Sequence, residues 1–448
     1  MGILPERKLY RRLMIAGFLL AVVMCAAAGW VISTRGTLQG RIAAIRAAGH
    51  PATIADLAPQ AFPPEEEDAA AQLAAVAGRV EAFSRELGRF YKTPLGIAYD
   101  QRQDRGEAAT GEQLDAIRKI IEKFPDVDSA IDRAAACRQY ASRLNYQLPQ
   151  PQFLESMHPG PIDIRAVARF IVWQMKLAIG EGRTEVALEH GIELLRLAAL
   201  YDAAEPGLVS SQMANAVRGV AAAEIYEALV ANGESIAPAL RQELDNELAR
   251  FDVAEVLRRS ITTERACVVS ATQYQLGGMT SIVANTVGLP MKIMYIESID
   301  VIEPMLAIVD EPWYVTFQPG KPNVFQPAAN SGVLASLLAP SFKAQFDMVH
   351  RTSATLRALR VVNALQRYAD EHGREAGGLV DLNLPPEATT DPFSGKPLTV
   401  RPTDRGWVVY SVGVNGIDDG GNFEKEKDVG FGITTSPATS EEEASEEK

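Results

Sequence analysis

Cysteine is scarce in this 448-residue chain, which has only Cys25, Cys137 and Cys267. The first falls inside an apolar run, so at most one disulfide, Cys137–Cys267, is open to the rest. A free buried thiol is the simpler state for each, and no paired-cysteine spacing of a zinc site occurs. Histidine is equally thin. The five residues stand at His50, His158, His190, His350 and His372, and none forms an HExxH or other close ligand pair. No GxSxG elbow, P-loop or dinucleotide glycine fingerprint is present, so the common sequence marks of an enzyme are missing. Positive charge is also in deficit. A net charge of −13 argues against a general nucleic-acid binder, which would present a basic face.

Long apolar runs are lacking too, with one exception. Leu13–Ile32 (LMIAGFLLAVVMCAAAGWVI) is twenty residues without a charge. At a rise of about 1.5 Å per residue such a helix matches the roughly 30 Å hydrocarbon core of a bilayer. Arg7, Lys8, Arg11 and Arg12 precede it, while Arg35, Arg41 and Arg46 follow. The positive-inside rule then keeps residues 1–12 cytoplasmic and exports the remainder. The expectation is a single-pass signal anchor in a bacterial inner membrane, with the C-terminal bulk periplasmic. A cleaved signal peptide is the alternative, since Ala26-Ala27-Ala28 offers small residues to a peptidase. The run is longer than a usual signal core, however, and continues through Trp30-Val31-Ile32. Lipidation at Cys25 fits less well, because Val23-Met24 are poor residues for a lipoprotein box. Met291–Val309 comes nearest to a second span, but Lys292, Glu297, Asp300, Glu303 and Pro304 interrupt it.

Beyond the anchor, residues 33–64 read as a stalk and linker. Gly36–Ala48 suits a short helix that ends at His50-Pro51, and Ala58–Pro64 is proline-punctuated. A helical body is expected over 65–330, opening on the acidic Glu65–Asp68, which suits a helix N-terminus. Ala69–Tyr91, Gly111–Phe124 and Asp126–Leu144 read as helices, with Thr93–Thr110 irregular between them. The clearest periodicity follows. Ile164, Val167, Ala168, Ile171, Met175, Ala178 and Ile179 recur at spacings of three and four. Leu188, Ile192, Leu195 and Ala199 repeat the pattern, as do Met213, Val217, Val220, Ala221 and Ile225. Ala237–Arg250 makes a fourth helix. Breaks as short as Gly180–Gly182 and Glu205–Gly207 force neighbouring helices antiparallel, giving a hairpin array or bundle. Asp252–Gln275 continues helically. Leu276–Val309 is apolar enough to be a buried helical pair or a docking surface. Pro312–Pro327 (PWYVTFQPGKPNVFQP) reads as an extended loop, and Ser341–His372 as a long helix capped by Gly373. The acidic 434–448 is expected to be disordered.

Val361–Gly432 carries the most specific pattern. A helix with Leu365, Tyr368 and His372-Gly373 leads to Leu379 and Leu382, then to Asp391-Pro392-Phe393-Ser394-Gly395-Lys396-Pro397-Leu398. The alternating Trp407–Val412 (WVVYSV) reads as a strand, and Gly413-Val414-Asn415-Gly416-Ile417-Asp418-Asp419-Gly420-Gly421 follows it. This stretch resembles the C-terminal half of the major (G-type) pseudopilins of type II secretion systems. In that family a long helix ends in a Tyr…Asn/His-Gly element, a DPW/F-G-x-P-L/Y turn follows, and the next strand carries Y-S-x-G-x-D-G-x-x-G-G. The resemblance implies a small α+β module over 341–433 and calcium in the loop after the strand, because oxygen-rich glycine turns suit a hard cation. By position the implied set is Asn415 and Asp428, with Asp418 and Asp419 as extra acids. Asn415 stands where the family usually has aspartate and so removes one charge. A second departure is the apolar run, which lacks the glutamate that heads the pseudopilin helix and lies far from the module in sequence. It therefore suits a tether rather than the core of a fibre. The whole arrangement is similar to envelope proteins of unassigned role in planctomycete-type bacteria.

The expected fold is thus mainly α: an N-terminal transmembrane helix, a helical hairpin or bundle body and a small C-terminal α+β module. The expected function is a non-enzymatic interaction or scaffold protein. It would be bound to the membrane through residues 13–32 and to a protein partner, with a link to type II secretion-like machinery. Two rivals remain open. One is an anchored hydrolase that gathers residues such as His158, Glu189 and His190. The other is a ligand-binding protein with its pocket over 162–310.

Overall fold

The computed structural model describes residues 38–157, 160–231, 236–278, 299, 301–317, 325, 333–403, 406–424 and 427–432, together with Gly17 and Val22. The expected anchor at 13–32 lies outside the described residues except for Gly17 and Val22, both helical, as does the acidic tail at 434–448. Among the described residues no helix is long and apolar enough to cross a membrane.

Helix α1 (38–47) and the 3₁₀ turn Ile54–Leu57 cover the end of the stalk. Helix α2 (Ala69–Phe90) then starts at Asp68, whose carboxylate accepts the Ala70 N–H. That same buried carboxylate accepts the Ala141 N–H at 2.9 Å and the Arg143 guanidinium, while the Ala69 N–H donates to the Gln139 carbonyl. This capture explains one correction. The helix expected over Asp126–Leu144 stops at Ala136, and the following residues cross the start of α2 in extended form.

A second correction concerns Thr93–Thr110, which is not irregular throughout. Helix α3 (Pro94–Asp104) forms there because Thr93 caps it, accepting the Gly96 N–H at 3.1 Å, and Pro94 occupies the first position. Only Gly96 and Tyr99 of α3 are buried, so no apolar period announced it. Helix α4 (Gly111–Ile121) begins with a reciprocal box between Thr110 and Gln113, and α5 (Pro125–Ala136) begins on its proline.

After α6 (Gln150–Met157) come α7 (Ile164–Gly180), α8 (Thr184–Ala204), α9 (Gly207–Val230), α10 (Pro238–Ala249) and α11 (Val253–Gly278), as their periodicity requires. Helix α8 lies close against α9 and α7. A Cβ on Gly191 would stand 2.4 Å from Ile225 Cγ1 and 3.0 Å from Met175 Cε.

Most of the apolar 276–309 stretch is outside the described residues. Its end forms α12 (Ile302–Ala307), burying Ile302 and Met305. The expected extended loop at Pro312–Pro327 instead opens with a helical turn, α13 (Trp313–Thr316), driven by burial of Trp313. The long helix α14 spans Val333–His372, beginning earlier than expected because the chain stays helical through Pro340. Gly373 ends it at φ +63° with its N–H on the Ala369 carbonyl. A short helix, α15 (Pro386–Thr389), precedes an antiparallel sheet in the order β1 (Thr399–Thr403), β2 (Gly406–Ser411), β3 (Val429–Phe431).

The protein is therefore mainly helical, with one small three-stranded sheet near its C-terminus. Helix α14 is shared by both parts, packing on α9, α10 and α11 and on β2 and β3. One continuous cluster of buried apolar side chains runs from Ala69 in α2 to Val409 in β2. Phe431 of β3 stacks on Tyr226 of α9 at 4.9 Å, and Arg360 of α14 holds Asp245 of α10 through two bonds of 3.0 and 3.1 Å.

Candidate functional site

The seam between the helical body and the C-terminal module holds a cleft of about 500 Å³. Its floor comes from α14, where His350 and Arg357 stand seven residues, or two turns, apart and so share a face. One wall is the segment 309–314 with Trp313 and Tyr314, and the other is Glu387, Thr390 and Pro392 of the module. The turn carrying that second wall is fixed by Asp391. This buried carboxylate accepts the Phe393 N–H (2.9 Å), the Ser394 hydroxyl (2.7 Å), the Ser411 hydroxyl (2.6 Å) and the Val412 N–H (3.2 Å). The turn adopts φ +69° at Gly395, where the ring of Tyr314 lies against the backbone, so a side chain there would strike it.

His350 is enclosed by Trp313 (5.1 Å between ring centres), Phe393 (6.1 Å) and Phe346 (6.5 Å). Its Nδ1 bonds the Phe346 carbonyl at 2.8 Å, which makes Nδ1 the donor and by itself favours the protonated ring. Burial pushes its pKa down to about 4. The folded state therefore resists a proton that the unfolded chain accepts near pH 6.5. Its contribution to stability is complete above that value and is lost as the pH falls from there through 4. Between pH 6.5 and 5 the loss should be about 2 kcal/mol. Urea unfolding at pH 7 and 5 should show it in the wild type and not in His350→Phe, and an equal slope in both would disprove the assignment.

Arg357 is half-buried and donates from Nη1 to the Thr390 carbonyl at 2.7 Å. Burial lowers its pKa, Asp391 and Glu387 oppose that, and it remains a cation. Around it the cleft carries Asp252, Asp310, Glu311 and Glu387. Asp310 pairs with Arg258, Glu311 accepts the Thr316 hydroxyl at 3.0 Å, and Asp252 accepts the Glu255 N–H at the start of α11. Glu387 and Asp252 are exposed. The cleft is thus aromatic inside and acidic at the rim.

Asn415, Asp418, Asp419 and Asp428 do fall in one loop, after β2. Their oxygens are taken by the loop itself. Asp428 is buried and accepts the Gly421 N–H (2.7 Å) and the Asp419 N–H (3.3 Å), with burial raising its pKa. Asp418 accepts the Tyr410 hydroxyl (2.8 Å) and the Gly420 N–H (3.0 Å), and these bonds lower its pKa. Asn415 donates to Asp419 (2.8 Å) and accepts the Ile417 N–H (3.0 Å). Among the described residues no three His, Cys, Asp or Glu side chains come together to hold a metal ion. The side chains present, as arranged, do not fit a calcium ion.

Of the residues named for a hydrolase, Glu189 and His190 lie among the described residues. Glu189 is exposed on α8, His190 pairs with Glu193 at 3.0 Å, and His158 lies outside the described residues. Burial works against a charged His190, yet Glu193, Asp128 and Asp132 outweigh it and raise the pKa. Cys137 and Cys267 are both free thiols. Arg357, Trp313 and Tyr314 escaped sequence reasoning. The one trace of them was the aromatic, proline-spaced run at 312–327. The chain matches no protein-family model, no curated protein and no solved structure.

Proposed function

We propose that this chain is a membrane-tethered, non-enzymatic binding protein of the bacterial envelope that holds a basic segment of a protein partner in the cleft at the body–module seam. The carrying observation is charge and surface together: Trp313 and Tyr314 inside a rim of Asp252, Asp310, Glu311 and Glu387. Aromatic faces attract cations, and interface cores favour aromatics, so a lysine or arginine beside an apolar side chain suits this lining. Tethering rests on Leu13–Ile32, and the pseudopilin-like order of elements in Val361–Gly432 supports a partner in secretion-like machinery. A catalytic reading is less well supported, because His350 is held neutral by burial, with Arg357 adding to the effect and the Phe346 carbonyl opposing it.

Charge reversal at two of the exposed rim acids, Asp252 and Glu387, tests the proposal. Wild type and the double variant Asp252→Lys/Glu387→Lys would be compared in detergent pull-downs from envelope membranes, with melting curves to confirm equal folding. Partners retained by the wild type should fall about tenfold in the variant, and added salt should release them. An unchanged partner set in the variant would refute the cleft as the binding site.

A further inference from the structure

A second cavity lies on the opposite side of segment 303–310, between α1, α11 and α12, with a volume of about 460 Å³. Each helix presents one face to it at helical spacing: Arg41, Ala44, Ile45 and Ala48 from α1, Arg258, Thr262 and Arg265 from α11, and Glu303 and Leu306 from α12. His50 and Ile299 complete the lining. Three arginines line it, and two of them are held by carboxylates, Arg265 by Glu303 and Arg258 by Asp310. Ala44, Ile45, Ala48, Ile299 and Leu306 supply the apolar part of its lining.

Arg265 is the anomaly. Its side chain is 3% exposed, and among the described residues it pairs with Glu303, reached from Nη1 at 2.5 Å. Nε and Nη2 are buried, and neither has a hydrogen-bond partner among the described residues. A buried guanidinium group with idle N–H bonds on two of its nitrogens is costly, and native folds rarely leave such groups without an acceptor. An acceptor from outside the chain would remove the deficit. Arginine's planar fork matches a carboxylate or phosphate through paired bonds, which makes an oxyanion the fitting acceptor. Ile45, Ile299 and Leu306 would bury an apolar portion of the same molecule.

We propose that this cavity binds an amphiphilic anion, an oxyanion head on an apolar chain, with Arg265 and Arg258 holding the head. The volume lies within the range usual for small-molecule sites. The inference does not depend on the seam cleft or on residues 13–32 spanning a bilayer.

Calorimetric titration of the full chain in nonionic detergent, using dodecyl phosphate and inorganic phosphate as probes, tests it. Dodecyl phosphate should bind at least about tenfold more tightly than inorganic phosphate, and Arg265→Gln should weaken it about tenfold or more. Because Arg265 is buried, Arg258→Gln provides a second variant at a more exposed position (42% exposed side chain), and it should weaken binding while leaving the melting curve unchanged. Mass spectrometry of an organic extract of the purified protein then separates the sources. A phospholipid would indicate a bilayer headgroup, and a free fatty acid a soluble amphiphile. Equal binding of the two phosphates, or wild-type affinity in Arg258→Gln, would overturn the proposal.

Discussion

Replacing Asp391 with alanine should lower the free energy of unfolding by about 3–5 kcal/mol, measured by urea denaturation at pH 7. Four donors converge on this carboxylate, and the residue is 2% exposed. The hydroxyls of Ser394 and Ser411 can rotate toward other acceptors. The N–H groups of Phe393 and Val412 cannot, and each buried donor left unpaired costs about 1–3 kcal/mol. Asp391→Asn keeps one acceptor oxygen but turns an NH₂ toward donors, so it should fall between wild type and alanine. Asp391 also ties the 391–395 turn to the end of β2. The alanine variant should therefore lose partner binding in the seam cleft at urea concentrations that leave the helical body folded. A loss under about 1 kcal/mol would show that the turn is held by something else.

Asp202→Ala should be comparably severe, at about 3–5 kcal/mol. Asp202 is 1% exposed and pairs with two arginines, Arg218 at 2.9 Å and Arg259 at 2.8 Å. Arg218 is itself 6% exposed at the side chain, bonds Asn215 and lies over the ring of Phe251. Removing the carboxylate leaves that guanidinium buried without a counter-charge. Burial already depresses its pKa, and Asp202 opposes the effect. The double variant Asp202→Leu/Arg218→Met, which removes the buried pair and leaves only the 23%-exposed Arg259 charged, should recover most of the loss, because a buried ion pair is often matched by apolar residues of similar volume. If the double variant were as unstable as the single, the cost would lie in packing rather than in the stranded charge.

The helices of the body were legible because their stripes follow the helical period. Ile164 through Ile179 recur at threes and fours, and α7 buries all of that stripe but the half-buried Ile179. Helix α3 was hidden because its support is a threonine cap and two buried residues rather than a stripe. The early end of α5 was hidden for a different reason. What stops the helix is the carboxylate of Asp68, a residue remote in sequence that captures Ala141 and Arg143. Sites suffer most from this limit. Trp313, His350, Arg357 and Glu387 come from three separate elements, and only the packing of α14 against both body and module brings them to one cleft. The acidic loop showed the reverse case. Its residues were found together as its spacing suggested, yet their oxygens serve the backbone of the loop.

The ion pair between Arg258 and Asp310 lies in the wall between the two cavities, because Arg258 lines one and Asp310 the other. The two proposed binding equilibria would therefore be linked. An anion that draws Arg258 away returns a bare carboxylate to the cleft rim and favours a basic partner there. The partner, by neutralising Asp310, frees Arg258 for the anion. Reciprocity requires the two effects to be equal in free energy. Both side chains are substantially exposed, at 42% and 72%, so the pair is worth no more than about 1 kcal/mol. The coupling is accordingly limited to about fivefold in either affinity, enough to bias occupancy but too little to act as an on–off switch.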